Sequence, residues 1–265
     1  MSTTIAISGK GGSGKTTIAS IFIRLLAARG NGPVLAVDAD PNSCLGLTLG
    51  VQPTTTVAQL REQARQKQPK AEGMDKIRSF EFGLQQTITE AHHFDLLTMG
   101  RPEGPNCYCA VNNLLRQFLD RLTAAYSFVV IDNEAGMEHL SRRTTNNVDL
   151  LCIVAEPTPL GSLTAKRICD LARELPVSIK KIGIIWNHTL PTANRRLTIE
   201  NSKSKIENID TLGSVPFDQT VFDASMNLKT VFDYQENGLA LSSVKKILEN
   251  ILNLKGPSVT QSYFL

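Results

Sequence analysis

A glycine-rich segment near the beginning of the chain carries the residue types that bind phosphate. Residues 9–16 read GKGGSGKT and fit the pattern G-x-x-x-x-G-K-[ST]. The glycines let backbone N–H groups face phosphate oxygens, the last lysine reaches the β- and γ-phosphates, and the final hydroxyl binds Mg²⁺. We therefore predict a site for a nucleoside triphosphate and Mg²⁺, formed by Gly9, Gly11, Gly12, Ser13, Gly14, Lys15, Thr16 and Thr17. Thr16 is the predicted Mg²⁺ ligand.

A second lysine, Lys10, lies at the start of the same loop. From that position its side chain does not easily reach the phosphate bound by its own subunit. We interpret it as a group that enters the nucleotide site of a facing subunit, as an arginine finger does. Such a group accelerates hydrolysis by about 10³–10⁵. The alternative interpretation is a solvated lysine on a loop.

Three aspartates follow apolar runs that resemble buried strands. Asp38 and Asp40 end one run, and Asp132 ends the run Phe128–Ile131. Ligands of open α/β sheets bind at the carboxyl edge of the strands, where these carboxylates would lie. We expect Asp132 to hold a water on Mg²⁺, as the acid of a Walker B strand does. For either Asp38 or Asp40 alone, the alternative is a carboxylate that caps a helix.

Two further residues with distinctive chemistry are Cys107 and Cys109, in a loop that opens a helix. The amino end of a helix lowers the pKa of thiols, and thiolates are ligands for Zn²⁺, Cu⁺ or Ni²⁺. Two thiolates do not complete a four-coordinate site. A two-fold dimer would supply a second pair and complete a Cys₄ site. The alternative is a Cys-x-Cys pair without a metal.

Composition limits the class of protein that must position these groups. The chain has 265 residues, 42% of them hydrophobic and 20% charged, which is typical of a globular protein. Its net charge of +3 is too small to predict nucleic acid or an anionic membrane as a partner. We expect a cytoplasmic protein, because no signal peptide or membrane span is evident. We therefore interpret the five cysteines as reduced thiols, because disulfides are rare in the cytoplasm.

Strand and helix patterns alternate along the chain. Apolar runs predict strands at Thr3–Ser8, Pro33–Asp38, Leu96–Met99, Phe128–Asp132, Leu150–Val154, Ile182–Trp186 and Leu212–Pro216. Amphipathic spacing predicts helices at Thr16–Arg29, Val57–Gln68, Ala110–Ala124, Leu160–Leu175 and Ala240–Leu254. The segment Pro69–Ser79 reads as a loop, and Ile77–Phe94 fits strand, helix or both. The alternation favours an α/β fold with one doubly wound, mostly parallel sheet and helices on both faces. We expect one ATPase domain over residues 1–254 and a tail over 255–265.

The segment GKGGSGKT resembles the deviant Walker A loop of the dimeric ATPases that include cell-division, chromosome-partition and metal-centre maturation proteins. The resemblance implies an ATP-dependent homodimer in which Lys10 crosses the interface. It also implies that Asp40 orients or deprotonates the attacking water and that Asp38 supports Mg²⁺ through its waters. By the same resemblance Asn187, after the strand Ile182–Trp186, contacts adenine. The resemblance also implies that Pro216, Phe217 and Asp218 form a second wall of the base pocket.

Further segments look like those of CooC-type ATPases, the nickel-insertion factors of carbon monoxide dehydrogenase, with relatives that serve acetyl-CoA synthase. These segments read DADPNSCLG from Asp38, NCYC from Asn106 and DNEAGMEHL from Asp132. The resemblance implies that Cys107 and Cys109 of two subunits hold one Ni²⁺ or Zn²⁺. It implies that ATP turnover controls delivery of the metal to the apo-enzyme, carbon monoxide dehydrogenase or acetyl-CoA synthase. Gly136, in the segment after Asp132, would let the backbone approach the γ-phosphate.

Two alternatives within the same family stay open. An iron–sulphur ATPase needs a second cysteine shortly after the Walker B aspartate, and the stretch Asp132–Val148 has none. A protein-targeting ATPase that captures apolar helices would need a methionine-rich groove. The chain has only five methionines, which speaks against such a groove.

Overall fold

A computed structural model describes residues 2–66, 81–101, 109–134, 147–189 and 209–253. Several of the predictions lie outside these residues: those for the loop Pro69–Ser79, for Cys107, for Gly136 and for the tail after Leu254. The backbone of Cys109 is described, whereas its side chain is not.

The described residues form one eight-stranded sheet in the order β3-β4-β2-β5-β1-β6-β7-β8. All neighbouring strands are parallel except the edge pair β3 and β4. The strands are β1 Thr3–Gly9, β2 Val34–Ala39, β3 Ile88–Ala91, β4 Phe94–Thr98, β5 Phe128–Asn133, β6 Asn147–Ala155, β7 Ser178–Thr189 and β8 Asp210–Pro216. The central strands are apolar on both faces because helices cover both.

Helices connect the strands and form two layers. They are α1 Lys15–Arg29, α2 Leu45–Leu49, α3 Val57–Gln66, α4 at residues 81–86, α5 Cys109–Ala124, α6 Pro159–Glu174, α7 Gln219–Met226 and α8 Leu239–Asn253. One buried cluster joins α1 and α8 to one face of the sheet. A second cluster joins α5 and α6 to the other face. The predicted fold class, a doubly wound sheet with helices on both faces, is confirmed.

The predicted elements are present with boundaries shifted by a few residues. The ambiguous segment contains both a helix, α4, and a strand, β3. Two short helices, α2 and α7, were not predicted, nor was the 3₁₀ turn Val231–Asp233. These elements have too few residues to show a helical period. Helix α2 also depends on the buried carboxylate of Asp38, which accepts a hydrogen bond from the N–H of Leu45. No helix among the described residues has the length and apolar character that a membrane crossing needs.

The sheet order brings three functional loops together. Strands β2, β5 and β1 are neighbours, and Asp132 of β5 lies in register with Ile7 of β1 and with Asp38 of β2. Their carboxyl ends therefore meet at one edge, although they are far apart in sequence. The loop after β1 is the glycine-rich segment, and the loop after β2 contains Asp40. The topology thus places the predicted phosphate loop beside the predicted acids.

Candidate nucleotide site

A cleft of about 490 Å³ opens at this edge of the sheet. Its lining combines the glycine-rich loop, the start of α1 and the loops after β2 and β5: Gly11, Gly12, Gly14, Lys15, Thr16, Thr17, Asp40, Pro41, Asn42 and Glu134. The volume is in the range of small-molecule sites. The sequence analysis named most of these residues. It did not name Pro41, Asn42 or Glu134 as lining residues, although an Asn two positions after Asp40 is a common turn signal.

The loop conformation requires glycine at two positions. Gly12 and Gly14 have φ angles of +79° and +91°, which side-chain-bearing residues rarely adopt. Gly14 directly precedes α1, and a Cβ there would lie 2.2 Å from Nδ2 of Asn187. Gly14, Lys15 and the following threonines, at the start of α1, line the cleft. A helix start with this geometry binds anions such as phosphate.

Lys15 is buried beneath the loop, with 7% of its surface exposed. Its Nζ donates to the backbone oxygen of Lys10 at 3.3 Å. Lys10 also lines a second cleft of about 150 Å³, between the loop and the start of α6, where Thr158 and Leu160 lie. Lys10 is therefore exposed at the rim, as a residue that reaches another subunit must be. Its crossing role remains a prediction.

Asp132 joins the Walker B strand to the start of α1. Its Oδ2 accepts a hydrogen bond of 2.7 Å from Oγ1 of Thr16. The other oxygen, Oδ1, is buried and has no hydrogen-bond partner among the described residues. Burial raises the pKa of Asp132 to about 6, although the hydrogen bond from Thr16 and the charge of Lys15 lower it.

Asp38 is completely buried beside Asp132. Its oxygens accept backbone N–H groups of Leu45 at 3.0 Å and of Asp40 at 3.3 Å. Burial and the charge of Asp132 raise the pKa of Asp38 to about 7, against the lowering effect of both hydrogen bonds. Two buried acids with raised pKa values, an unpartnered carboxylate oxygen and a threonine hydroxyl form a set of hard oxygen donors. These residues fit Mg²⁺, which takes one or two carboxylates and several waters in nucleotide sites.

Asp40 lies at the cleft wall, closer to solvent than the other two acids. Its Oδ1 accepts two hydrogen bonds from Asn42, from the backbone N at 2.8 Å and from Nδ2 at 2.9 Å. The paired bonds hold the carboxylate against the cleft. This position suits a group that orients a water near the terminal phosphate, and that role remains a prediction.

Asn187 lies inside β7 and not after a strand, because β7 continues to Thr189. It is 5% exposed, and its Nδ2 donates to the backbone oxygen of Ser13 at 2.8 Å. Its amide nitrogen therefore supports the phosphate loop. Pro216 ends β8, and the next residue, Phe217, is 42% exposed with its ring centroid 6.2 Å from that of His188. The contacts of Asn187 and Pro216 with adenine remain predictions.

Strand β4 and helix α5 lie on either side of residues 102–108 in the chain, which include Cys107 and are outside the described residues. Strand β4 ends at Thr98 beside β2, and the backbone N of Met99 donates to the backbone oxygen of Asp38 at 2.9 Å. Helix α5 then begins at Cys109. Among the described residues no three His, Cys, Asp or Glu side chains are grouped for a metal.

The remaining cysteines differ in exposure. Cys152 in β6 and Cys169 in α6 are buried, and burial raises the pKa of both thiols. Cys44 is exposed directly before α2, where partial desolvation of its thiol and the negative charge of nearby carboxylates raise its pKa.

The fold and the cleft define a nucleotide-binding ATPase with a phosphate loop on a doubly wound sheet. Residues 4–231 match the CobQ/CobB/MinD/ParA nucleotide binding domain family. The chain therefore belongs to this family of ATPases.

Relatives of the chain extend over most of its length. It is 40% identical over 254 residues to an uncharacterized ATP-binding protein of Methanocaldococcus jannaschii, covering 95% of this chain and 99% of that protein. It is 33% identical over 233 residues to the carbon monoxide dehydrogenase accessory protein CooC of Rhodospirillum rubrum, covering 82% and 84%. The cell division ATPase MinD of Pyrococcus furiosus has a similar fold, with a TM-score of 0.69, 22% identity and coverage of 96% and 100%.

Proposed function

We propose that this ATPase is a homodimeric metallochaperone, which binds Ni²⁺ or Zn²⁺ as cargo and uses ATP to control its delivery to an apo-enzyme. The observation that carries the proposal is the hydrogen bond between Met99 and Asp38. It joins the strand end that leads toward the Cys-x-Cys segment to the strand end that carries the buried acid of the nucleotide site. A change at the end of β2 would therefore reach the end of β4, from which the chain continues toward both thiols.

The ATPase part of the mechanism assigns a task to each group at the cleft. Lys15 neutralises the β- and γ-phosphates once its Nζ leaves the backbone oxygen of Lys10. Asp40 orients the attacking water from the cleft wall, and Lys10 of the facing subunit stabilises the charge that develops on the transferred phosphate. Mg²⁺, when bound near Thr16 and Asp132, offsets the negative charge of the phosphates.

The cargo part of the mechanism rests on Cys107 and Cys109. One subunit supplies two thiolates, and a symmetric partner supplies two more. Four thiolates complete a tetrahedral site for Zn²⁺ or a thiolate site for Ni²⁺. Because two subunits share such a site, any step that opens the dimer removes half of the ligands. Hydrolysis would then release the metal by separating the subunits.

The client enzyme is proposed from the relatives. The protein at 33% identity is named as an accessory protein of carbon monoxide dehydrogenase. We propose carbon monoxide dehydrogenase, or acetyl-CoA synthase, as the enzyme that receives the metal from this chain.

A protein-targeting ATPase is the second candidate, and one observation favours it. Helix α7 and the residues around it expose apolar side chains, with Phe222 49%, Met226 70% and Leu228 88% exposed. Exposed apolar groups that lie near each other often mark protein contacts. An iron–sulphur ATPase is less well supported, because the stretch Asp132–Val148 contains no cysteine.

Equilibrium dialysis against Ni²⁺ and Zn²⁺, with and without ATP, tests the metallochaperone. The wild type is compared with a Cys107→Ser/Cys109→Ser variant, and Cys44→Ser serves as the control because this exposed thiol lies outside the motif. We expect one metal per dimer in the wild type and the control, and almost none in the double variant. Metal binding that is absent from the wild type, or that survives in the double variant, would refute the proposal and favour a protein client.

A further inference from the structure

Asn133, the last residue of β5, is a buried amide that the sequence analysis did not assign. It has no exposed surface. Its Nδ2 donates to the backbone oxygen of Ile7 in β1 at 3.0 Å. Its Oδ1 is buried and has no hydrogen-bond partner among the described residues. A buried amide that satisfies only half of its hydrogen-bonding capacity destabilises the fold, so its presence at this position calls for a reason.

The side chain of Asn133 extends the sheet where the backbone pairing stops. Between β1 and β5 the last residues in register are Ile7 and Asp132. On its other side β5 stays paired with β2 for one residue more, with Asn133 opposite Ala39. The amide therefore ties the end of β5 to β1 beyond the last backbone pair.

The three strands joined at this point carry the three parts of the nucleotide site. Ile7 lies two residues before the phosphate loop begins at Gly9, and Asp132 directly precedes Asn133. Asp132 contacts the far end of that loop through the hydroxyl of Thr16. The distance between the loop and the Walker B acid is therefore fixed at two points, one at Thr16 and one at Ile7.

We propose that Asn133 is a positioning residue that holds Asp132 at the correct distance from the phosphate loop, and thereby sets the affinity for Mg²⁺-bound nucleotide. Asp132 faces the side of the sheet that α1 covers, where it meets Thr16. Asn133 faces the opposite side, because neighbouring residues of a strand alternate. Asn133 therefore does not contact nucleotide or Mg²⁺ itself. It acts through the backbone of β5, and only on interactions that depend on Asp132.

A purely structural role leads to a different expectation. If Asn133 served only the fold, its replacement by an apolar residue of similar size would change stability alone. The affinity for Mg²⁺-bound nucleotide would then stay the same. As a positioning residue, its replacement by leucine removes both the unpartnered Oδ1 and the hydrogen bond to Ile7, two opposing effects on thermal stability, while binding of Mg²⁺-nucleotide becomes weaker. Mg²⁺-dependent affinity then falls while the melting temperature changes little.

The test compares Asn133→Leu with wild type by calorimetric titration with ADP, in Mg²⁺ and in EDTA, together with the melting temperature without nucleotide. Loss of one hydrogen bond at the site predicts Mg²⁺·ADP binding about fivefold to tenfold weaker. ADP binding in EDTA should change less than about twofold, since the phosphate loop itself is intact. Asn133→Ala, which cannot overpack, should show the same Mg²⁺-specific loss.

Thr98→Val is the matched control. Thr98 ends β4 at the same edge, is 1% exposed and has a buried Oγ1 without a partner among the described residues, but it does not contact β1. It should leave both affinities unchanged. Equal losses with and without Mg²⁺, or unchanged Mg²⁺·ADP binding in both Asn133 variants, would overturn the proposal. The role of Asn133 concerns the ATPase site alone. The result of this test is therefore independent of whether the protein carries a metal as cargo.

Discussion

The two positive-φ glycines of the phosphate loop allow a controlled test of how the loop is supported. Gly12 and Gly14 have similar φ angles, +79° and +91°, but different surroundings. A Cβ on Gly12 would meet no atom within 4 Å, whereas one on Gly14 would lie 2.2 Å from Nδ2 of Asn187. The same Nδ2 donates to the backbone oxygen of Ser13. Alanine at either position introduces similar backbone strain, but only Gly14→Ala displaces a buried hydrogen bond.

The expected magnitudes follow from these two effects. Backbone strain costs roughly 1–2 kcal/mol for alanine in a left-handed conformation, and we expect Gly12→Ala to lose about that free energy of unfolding. Gly14→Ala loses in addition the Asn187 hydrogen bond and leaves a buried carbonyl unsatisfied, about 1–3 kcal/mol. We therefore expect Gly14→Ala to lose about 2–5 kcal/mol. Asn187→Ala removes the obstructing side chain. In that background Gly14→Ala should therefore lose less free energy of unfolding than it does in the wild type.

Urea unfolding measures these differences, and the single tryptophan is a suitable probe because Trp186 is 1% exposed and precedes Asn187. The double variant Gly14→Ala/Asn187→Ala should lose less than the sum of the single variants, by about 1–3 kcal/mol. Equal losses for Gly12→Ala and Gly14→Ala would show that the contact with Asn187 does not support the loop. Strict additivity in the double variant would lead to the same conclusion.

Three further predictions concern the charged groups. Asp40→Asn should retain ATP binding while phosphate release falls by several orders of magnitude; full turnover in a phosphate-release assay would remove Asp40 from the reaction. Lys10→Ala should weaken both ATP-dependent dimerisation, read by sedimentation, and hydrolysis, and an unchanged dimer with full turnover would make Lys10 a solvated loop residue. The pKa of Asp38, about 7 in the fold, lies above its value in the unfolded chain, so protons stabilise the nucleotide-free fold. Its unfolding free energy should fall by about 2–3 kcal/mol from pH 5 to pH 8. Asp38→Asn should flatten that decline, and an equally steep decline in the variant would assign it to other groups.

Local patterns in the sequence account for much of the fold. The phosphate loop is formed by consecutive residues, so its glycines and Lys15 are recognisable without any knowledge of the fold. The strands around it are continuous apolar runs, which indicate burial on both faces wherever they occur. Long helices such as α1 and α8 show their period clearly. Elements of few residues, such as α2 and α7, carry too little pattern and form because neighbouring groups satisfy their ends.

The tertiary structure alone decided how distant residues combine at the site. The raised pKa of Asp38 depends on its burial and on Asp132, which lies on another strand. The support that Asn187 gives to Ser13 spans 174 residues of sequence, and the contact between Asn133 and Ile7 spans 126. Such pairs leave no local pattern, because an isolated asparagine has the same propensity whether its amide faces water or another strand. The sequence therefore determined the phosphate-loop pattern, while packing of the sheet determined how the acids and the phosphate loop come together at one edge.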